Sequence, residues 1–547
     1  MHGVALAMAL VLAHLPVMAG AAEIGASQFT EADHLRGGYG PYRSNNDLLY
    51  YHLDVRVDPD KKYLSGKNTI RFKMLKKGSR IQLDLVPALQ IDKVLWLKSA
   101  KSSLGLHVER AAGRTVYVDF PRTLRSGEII AIDFYYSGYP QEMGRFGGIV
   151  FRKDPMGRPL VNTACEEEGA SVWWPNKDQW RDEVENMDIS VEAPSDLIEV
   201  SNGRFRDKQE LPDGYTRWNW HVSYPINNYD VSLNVGKYVH FDDRYGDLTL
   251  DYFVFPEDLD KAKRQFVQTR NMLNAFTHDF GEYPFTRDGY KLIEALYSGV
   301  ENQTAITYGN GFVNGYLGKP KEGIGTWFDF IIVHESAHEW FGNSITAKDR
   351  SDMWIHEGWA NYSEDLFVEY MWGKQSAITY LNTGKDKVKN EEPVLCREGV
   401  FCTPPPDQYK KGALFLNTLR SVIDDDAEWF KLLHDYYQQF KYQTIMTTDM
   451  VAFFNRHSGK DLTPVFNAYL KHAAIPTLEL KFDPATRLVS YRWRAEEAGF
   501  NMPVRVGRQK QWQLIHPTAE WHRMKSALRP DEFDVATDLY YINVSKQ

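Results

Sequence analysis

Only three cysteines occur in 547 residues, at Cys165, Cys396 and Cys402. That excludes a disulfide-built scaffold and a thiolate metal cluster. Cys396 and Cys402 flank the loop "CREGVFC" and could close a small ring; two unpaired loop thiols are the other reading. A surplus of positive charge is also missing. The 64 Lys and Arg stand against 73 Asp and Glu, a net charge of −9. No nucleic-acid partner is expected from that balance. No low-complexity tract, heptad run or fixed-period repeat is present, which removes solenoid and coiled-coil architectures.

Long apolar runs are absent after the first 19 residues. The single one, "VALAMALVLAHLPVMA", lies at the extreme N-terminus, is broken by His14 and Pro16, and is followed by Ala19-Gly20-Ala21. It reads as a secretory signal peptide over residues 1–22, with an uncleaved anchor as the other reading, although no Lys or Arg precedes the apolar core. The mature chain is therefore expected to be exported, periplasmic or secreted. No stable membrane span is expected after leader removal. No cysteine follows the leader, so a lipoprotein anchor lacks its acceptor thiol.

What is present suffices for two to four cored domains, with 43% hydrophobic residues. Residues 48–240 read as strands: "LLYYHLDVRVDP", "NTIRFKML" and "EIIAIDFYYSGYP" are rich in β-branched and aromatic residues between Gly, Pro, Asp and Asn turns. From about residue 258 the apolar spacing becomes helical, with Asp258 or Asp260 as a cap, and helical signals dominate to about 472. A strand-rich segment resumes at "IPTLELKFDPATRLVSYRW".

The chemistry concentrates in "FIIVHESAHEWFGN". His334 and His338 are four apart, which on a helix sets both imidazoles on one face, able to bite one metal ion. Glu335 can reach a metal-bound water without ligating, the general-base position of this motif. A second helix is expected over "SDMWIHEGWANYSEDLFVEY". Glu357 within it supplies a third ligand, and two His with one Glu leave the fourth position open, the catalytic arrangement. Glu364, seven residues on, shares its face and could accept the free N–H of a ligating histidine.

"HESAHEWFGN" followed by "WIHEGWANYSE" resembles the aminopeptidase N family of zinc metallopeptidases, the gluzincins that also include leukotriene A hydrolase. The resemblance implies one Zn²⁺ per chain and peptide substrates with a free N-terminus. It implies α+β architecture: an N-terminal all-β saddle domain (30–243), a thermolysin-like, mainly helical catalytic domain (244–472) and a small C-terminal β-sandwich (473–547). The family's large helical C-terminal domain is not expected in the 75 residues after 472.

The same resemblance assigns the remaining site. Its Gly-x-Met-Glu-Asn motif corresponds to "SGVENQ", which makes Glu301 the binder of the substrate α-ammonium and carries Asn302 into substrate binding. Ser298 and Val300 depart from the pattern, and Gly299 is expected to let the segment lie close to a peptide backbone. Glu166, in "TACEEEGASVWWPNKD", falls on the second ammonium binder. The adjacent Glu167 and Glu168 suggest a taste for basic N-terminal residues. Tyr409, in "QYKKG", matches the tyrosine that shares the charge of the oxyanion. The readings left standing beside a zinc aminopeptidase are a thermolysin-type endopeptidase, a side activity on epoxides, and a non-catalytic peptide-binding homologue.

Overall fold

The computed structural model describes residues 29–319, 326–509 and 511–547. The expected leader at 1–22 lies outside the described residues. Strand signals in the first half resolve into an eight-stranded sheet centred on Asn46–Asp58 and Tyr63–Met74, with a four-stranded and a three-stranded sheet beside it. Leu53, Val55 and Val57 are buried and alternate with Asp54 and Arg56, the period of two that a half-buried strand requires. In the four-stranded sheet, Pro159–Ala164 lies between Leu233–Gly236 and Gly148–Lys153. Its C-terminal end runs directly into Cys165 and Glu166, so this sheet delivers the acidic run to the centre of the molecule.

The polar interior of this domain makes a pH-dependent contribution to stability. Glu199 is fully buried, and burial pushes its carboxyl up to about 8. Its oxygens accept from Ser201 Oγ at 2.6 Å and Trp220 Nε1 at 2.7 Å. A carboxyl with a raised folded pKa stabilises fully below its unfolded pKa and loses that contribution as pH rises through its folded value. Glu199→Gln is neutral and can keep both contacts, donating to Ser201, which itself donates to Ser232 O at 2.8 Å. Its melting temperature should exceed wild type by about 2 °C at pH 8.5 and match it near pH 5. Equal differences at both pH values in calorimetry would contradict this account.

The catalytic region is less helical than its sequence suggests. A five-stranded mixed sheet runs Val239–Tyr245, Leu248–Val254, Tyr290–Glu294, Ile306–Tyr308 and Gly299–Val300 in spatial order. Its last three strands are only two to five residues long, too short to announce themselves by alternation. The expected boundary at 243/244 cuts through Val239–Tyr245, which pairs with Leu248–Val254 and belongs to this sheet. The long helix expected from residue 258 is two helices, Leu259–Gln265 and Gln268–Asp279. The Asp258 side chain makes no capping hydrogen bond.

Three helices carry the site: α1 (Phe330–Ala337), α2 (Trp354–Trp372) and α3 (Asp407–Ile423). Asp329 caps α1, its Oδ1 accepting from the N–H groups of Ile331 at 3.1 Å and Ile332 at 3.3 Å. Every residue of α1 is buried: its first turn, Phe330 to Val333, is wholly apolar, and His334 and Glu335 face the enclosed site. Helices α2 and α3 meet glycine to glycine: a Cβ on Gly412 would lie 2.8 Å from Gly358 Cα. Bare backbone at that crossing lets the first turn of α3 come up against the first turn of α2.

C-terminal strands form a four-stranded sheet, including Thr477–Asp483 and Leu488–Arg494, and a three-stranded one around Val504–Arg508. This unit docks on the catalytic helices through hydrogen bonds such as Tyr541 N–H to Thr418 Oγ1 at 2.9 Å. Cys396 and Cys402 form a disulfide, while Cys165 is a buried free thiol. Among the described residues, no helix is long and apolar enough to cross a membrane.

Candidate metal centre and substrate cleft

His334 on α1, His338 at its C-terminal end and Glu357 in the first turn of α2 offer ligand atoms that all lie within 4.8 Å of one another. Both imidazoles have their other nitrogen engaged. His334 Nδ1 lies 2.8 Å from Glu364 Oε1, and His338 Nδ1 lies 3.0 Å from the Phe341 carbonyl oxygen. Each acceptor requires hydrogen on Nδ1, which leaves an Nε2 lone pair on the metal side. Each Nε2 lies 3.5 Å from Glu357 Oε2, an atom buried with no hydrogen-bond partner. Two lone pairs and a carboxylate oxygen converging in a buried space call for a cation, and two His with one Glu suit zinc with an open position.

Electrostatics follow the same demand. Burial opposes ionisation of Glu357, but the two histidines outweigh it and hold its carboxyl well below the usual range. Burial likewise opposes positive charge at His334, yet Glu357 and Glu364 favour it and raise its pKa well above the ordinary value, so that without a metal a proton competes for the Nε2 lone pair. Glu364 sits behind the histidine and is itself oriented, its Oε1 accepting from Asn361 Nδ2 at 2.6 Å and its Oε2 from the Tyr380 hydroxyl at 2.7 Å.

The centre opens on a cavity of about 440 Å³ lined by Glu335, Glu301, Glu166 and Tyr409 as well as the three ligands. Burial pushes the Glu335 carboxyl up to about 7 against the pull of His334 and His338. Glu301 is raised by burial and Glu357, and Glu166 is raised well above normal by burial, Glu301 and Glu357. Glu166 Oε1 and Glu301 Oε1 are both buried without a hydrogen-bond partner. Their main chains are fixed from elsewhere: Arg350 Nη1 donates to the Glu166 carbonyl at 2.6 Å, and Asn343 Nδ2 to the Glu301 carbonyl at 2.7 Å. The Tyr409 ring stacks on His334 at 6.2 Å and 24°, and burial with Glu357 nearby keeps its phenol protonated.

Two expectations need correction, those for Asn302 and for the acidic run. Asn302 does not line the cavity; it is 1% exposed and lies inside the protein. Gly299 does line it, but a Cβ there would lie 2.8 Å from both Glu335 Cγ and Ile331 Cγ2. The bare backbone at 299 therefore makes room for Glu335 and α1. Of the three adjacent acids, only Glu166 and Glu167 reach the cavity. Glu168 turns away to pair with Arg114 at 2.9 Å, so the run carries less negative charge at the site than its sequence suggests.

Arg350, Asn343 and His356 act on this site without having been singled out in sequence. Asn343 and His356 stood in plain view, at the end of "WFGN" and before the third ligand in "WIHEGW". Only their contacts give them roles. Burial pulls the His356 imidazole down to about 3, so it is neutral.

Two models of one peptidase family match the chain: the M1 N-terminal domain over residues 48–229 and the family M1 domain over residues 264–469. Aminopeptidase B of Rattus norvegicus is 21% identical, with 86% of this chain aligned to 77% of that protein. Aminopeptidase N of Streptomyces lividans is 25% identical, with 56% of this chain aligned to 38% of that longer protein. Among solved structures, a mutant M1 zinc metallopeptidase from Deinococcus radiodurans superposes with a TM-score of 0.66 at 22% identity, covering 81% of this chain and 98% of that one. That likeness shows the same fold: β-rich N-terminal domain followed by helical catalytic domain.

Proposed function

The chain belongs to peptidase family M1 and is a zinc-dependent aminopeptidase, and on that premise we propose which residues perform the reaction. His334, His338 and Glu357 hold the metal. Bound there, zinc supplies Lewis-acid polarisation of the scissile carbonyl and lowers the pKa of water at the open position. Glu301 and Glu166 accept hydrogen bonds from the substrate α-ammonium and set the first peptide bond at the reaction centre. Glu335 takes a proton from the attacking water and passes it to the leaving amine. The Tyr409 hydroxyl donates to the oxygen that becomes negative.

The observation that carries exo-cleavage is that two buried carboxyl groups, those of Glu166 and Glu301, both line the cavity that holds the metal ligands. Two such acids raise each other's pKa and are relieved by a cation between them. A peptide amine is that cation, whereas an acetylated terminus leaves both acids unmatched. A short peptide should therefore be shortened from its N-terminus, its N-acetylated form should be cut at least about 100-fold more slowly, and a zinc chelator should stop both. Comparable cleavage of the acetylated peptide at an internal bond would establish the endopeptidase reading instead.

Export to the periplasm or medium belongs to this proposal. Its support is the apolar leader with its Ala-x-Ala pattern, and the Cys396–Cys402 disulfide, a bond favoured in oxidising compartments. A mature chain still bearing residues 1–22 in cell extracts would contradict it.

A further inference from the structure

His356 precedes the ligand Glu357 and is fully buried. Its ring stacks on Trp180 at 4.9 Å and 22°, with Tyr229, itself packed on Trp180, near-parallel at 6.1 Å and 20°. Nε2 accepts the Ala347 N–H at 2.8 Å. A donor aimed at Nε2 requires a lone pair there, so the hydrogen of the neutral imidazole sits on Nδ1. Turning the ring over would set a C–H against the same backbone N–H, so the contact fixes orientation as well as tautomer.

Nδ1 faces Glu166 Oε1 at 3.7 Å, and neither atom has a hydrogen-bond partner. That separation is longer than a hydrogen bond. It leaves an N–H dipole pointed at a carboxylate in a buried site, and a sub-ångström shift of the Glu166 side chain would close it. The Glu166 main chain cannot follow freely, because Arg350 holds its carbonyl. Arg350 itself lies over the Trp180 ring at 5.2 Å, so a single packed unit fixes backbone and imidazole together.

We propose that His356 is a positioning residue for substrate recognition: its Nδ1–H draws one oxygen of Glu166 back and leaves the other turned to the cavity for the substrate α-ammonium. This inference rests on the reading of Glu166 as an ammonium anchor. It differs from a packing role, because a packing role would be indifferent to which edge of the ring carries hydrogen.

Asparagine and glutamine separate the two edges. The asparagine amide N–H stands where Nδ1 does, whereas the glutamine amide oxygen reaches toward the place of Nε2 and leaves nothing at Nδ1. Steady-state kinetics on an aminoacyl p-nitroanilide, with zinc per chain measured and zinc kept saturating, should be run on His356→Asn, His356→Gln, Glu166→Gln and the His356→Gln/Glu166→Gln pair. His356→Asn should keep KM within about twofold. His356→Gln should raise KM about five- to tenfold with a smaller change in kcat, the size of one ordinary hydrogen bond. Glu166→Gln should raise KM further, and the pair should be no worse than Glu166→Gln alone.

Equal KM changes in the asparagine and glutamine variants would overturn the proposal. So would a His356→Gln variant whose only defect is zinc loss, with normal KM once zinc is restored. A raised KM in Glu166→Gln beside a normal one in His356→Gln would remove the role of His356 alone. A normal KM in Glu166→Gln would remove the ammonium anchor and this inference with it.

Discussion

Glu335→Gln is expected to lower kcat by about 10³- to 10⁴-fold while the chain keeps its zinc, a barrier increase of about 4–5.5 kcal/mol. Glutamine matches glutamate in size but cannot accept a proton from water or return one to the leaving amine. The metal should stay because Glu335 is not among the three convergent ligands. The fold should hold as well. A neutral amide of the same size is cheaper to bury than a carboxylate, so the substitution relieves a cost of the native state rather than adding one. KM should change little, because the proposed ammonium contacts belong to Glu301 and Glu166. Rapid-mixing or steady-state rates with metal analysis on the same sample would check this. Near-normal turnover with full zinc would show that the proton is carried by another group.

Tyr409→Phe is expected to cost about 10²- to 10³-fold in kcat, the range for loss of one donor to a developing oxyanion. The aromatic face against His334 is kept, so ring packing and metal affinity should survive. The lost hydroxyl interacts with charge that exists mainly in the transition state, so KM should stay near its wild-type value. A raised KM with kcat unchanged would instead make Tyr409 a ground-state binder of the substrate. Together the two substitutions separate proton transfer from charge stabilisation: the first should change the pH–rate profile, whereas the second should only lower it.

The metal site was legible because it is local. Four-residue spacing on one helix fixes two imidazoles by geometry alone, and the next helix brings Glu357 and Glu364 at a spacing that keeps them on one face. The β-rich start, helical middle and β-rich end were legible for a similar reason, since each is a pattern within a few residues. The short strands of the catalytic sheet escaped notice because a run of two to five residues carries too little alternation. Gly299 and Gly412 show a different limit. Both stood in recognisable motifs, but Gly299 spares room for Glu335 and Gly412 lets α2 and α3 touch, relations that spacing does not reveal.

By itself, then, the sequence determined the chemistry on offer: a two-histidine, one-glutamate zinc site with a further carboxyl, Glu335, beside it, in a chain of β, then helical, then β texture. Tertiary structure alone decided which carboxylates face that centre. Glu166 lies 184 residues before the arginine that holds its carbonyl, and it reaches the cavity while its neighbour Glu168 is turned away to Arg114. Asn302, adjacent in sequence to Glu301, does not line the same cavity. Side-chain direction at such positions follows from long-range hydrogen bonds and packing, in which residues far apart in the chain compete for the same buried space, and no local pattern encodes the outcome.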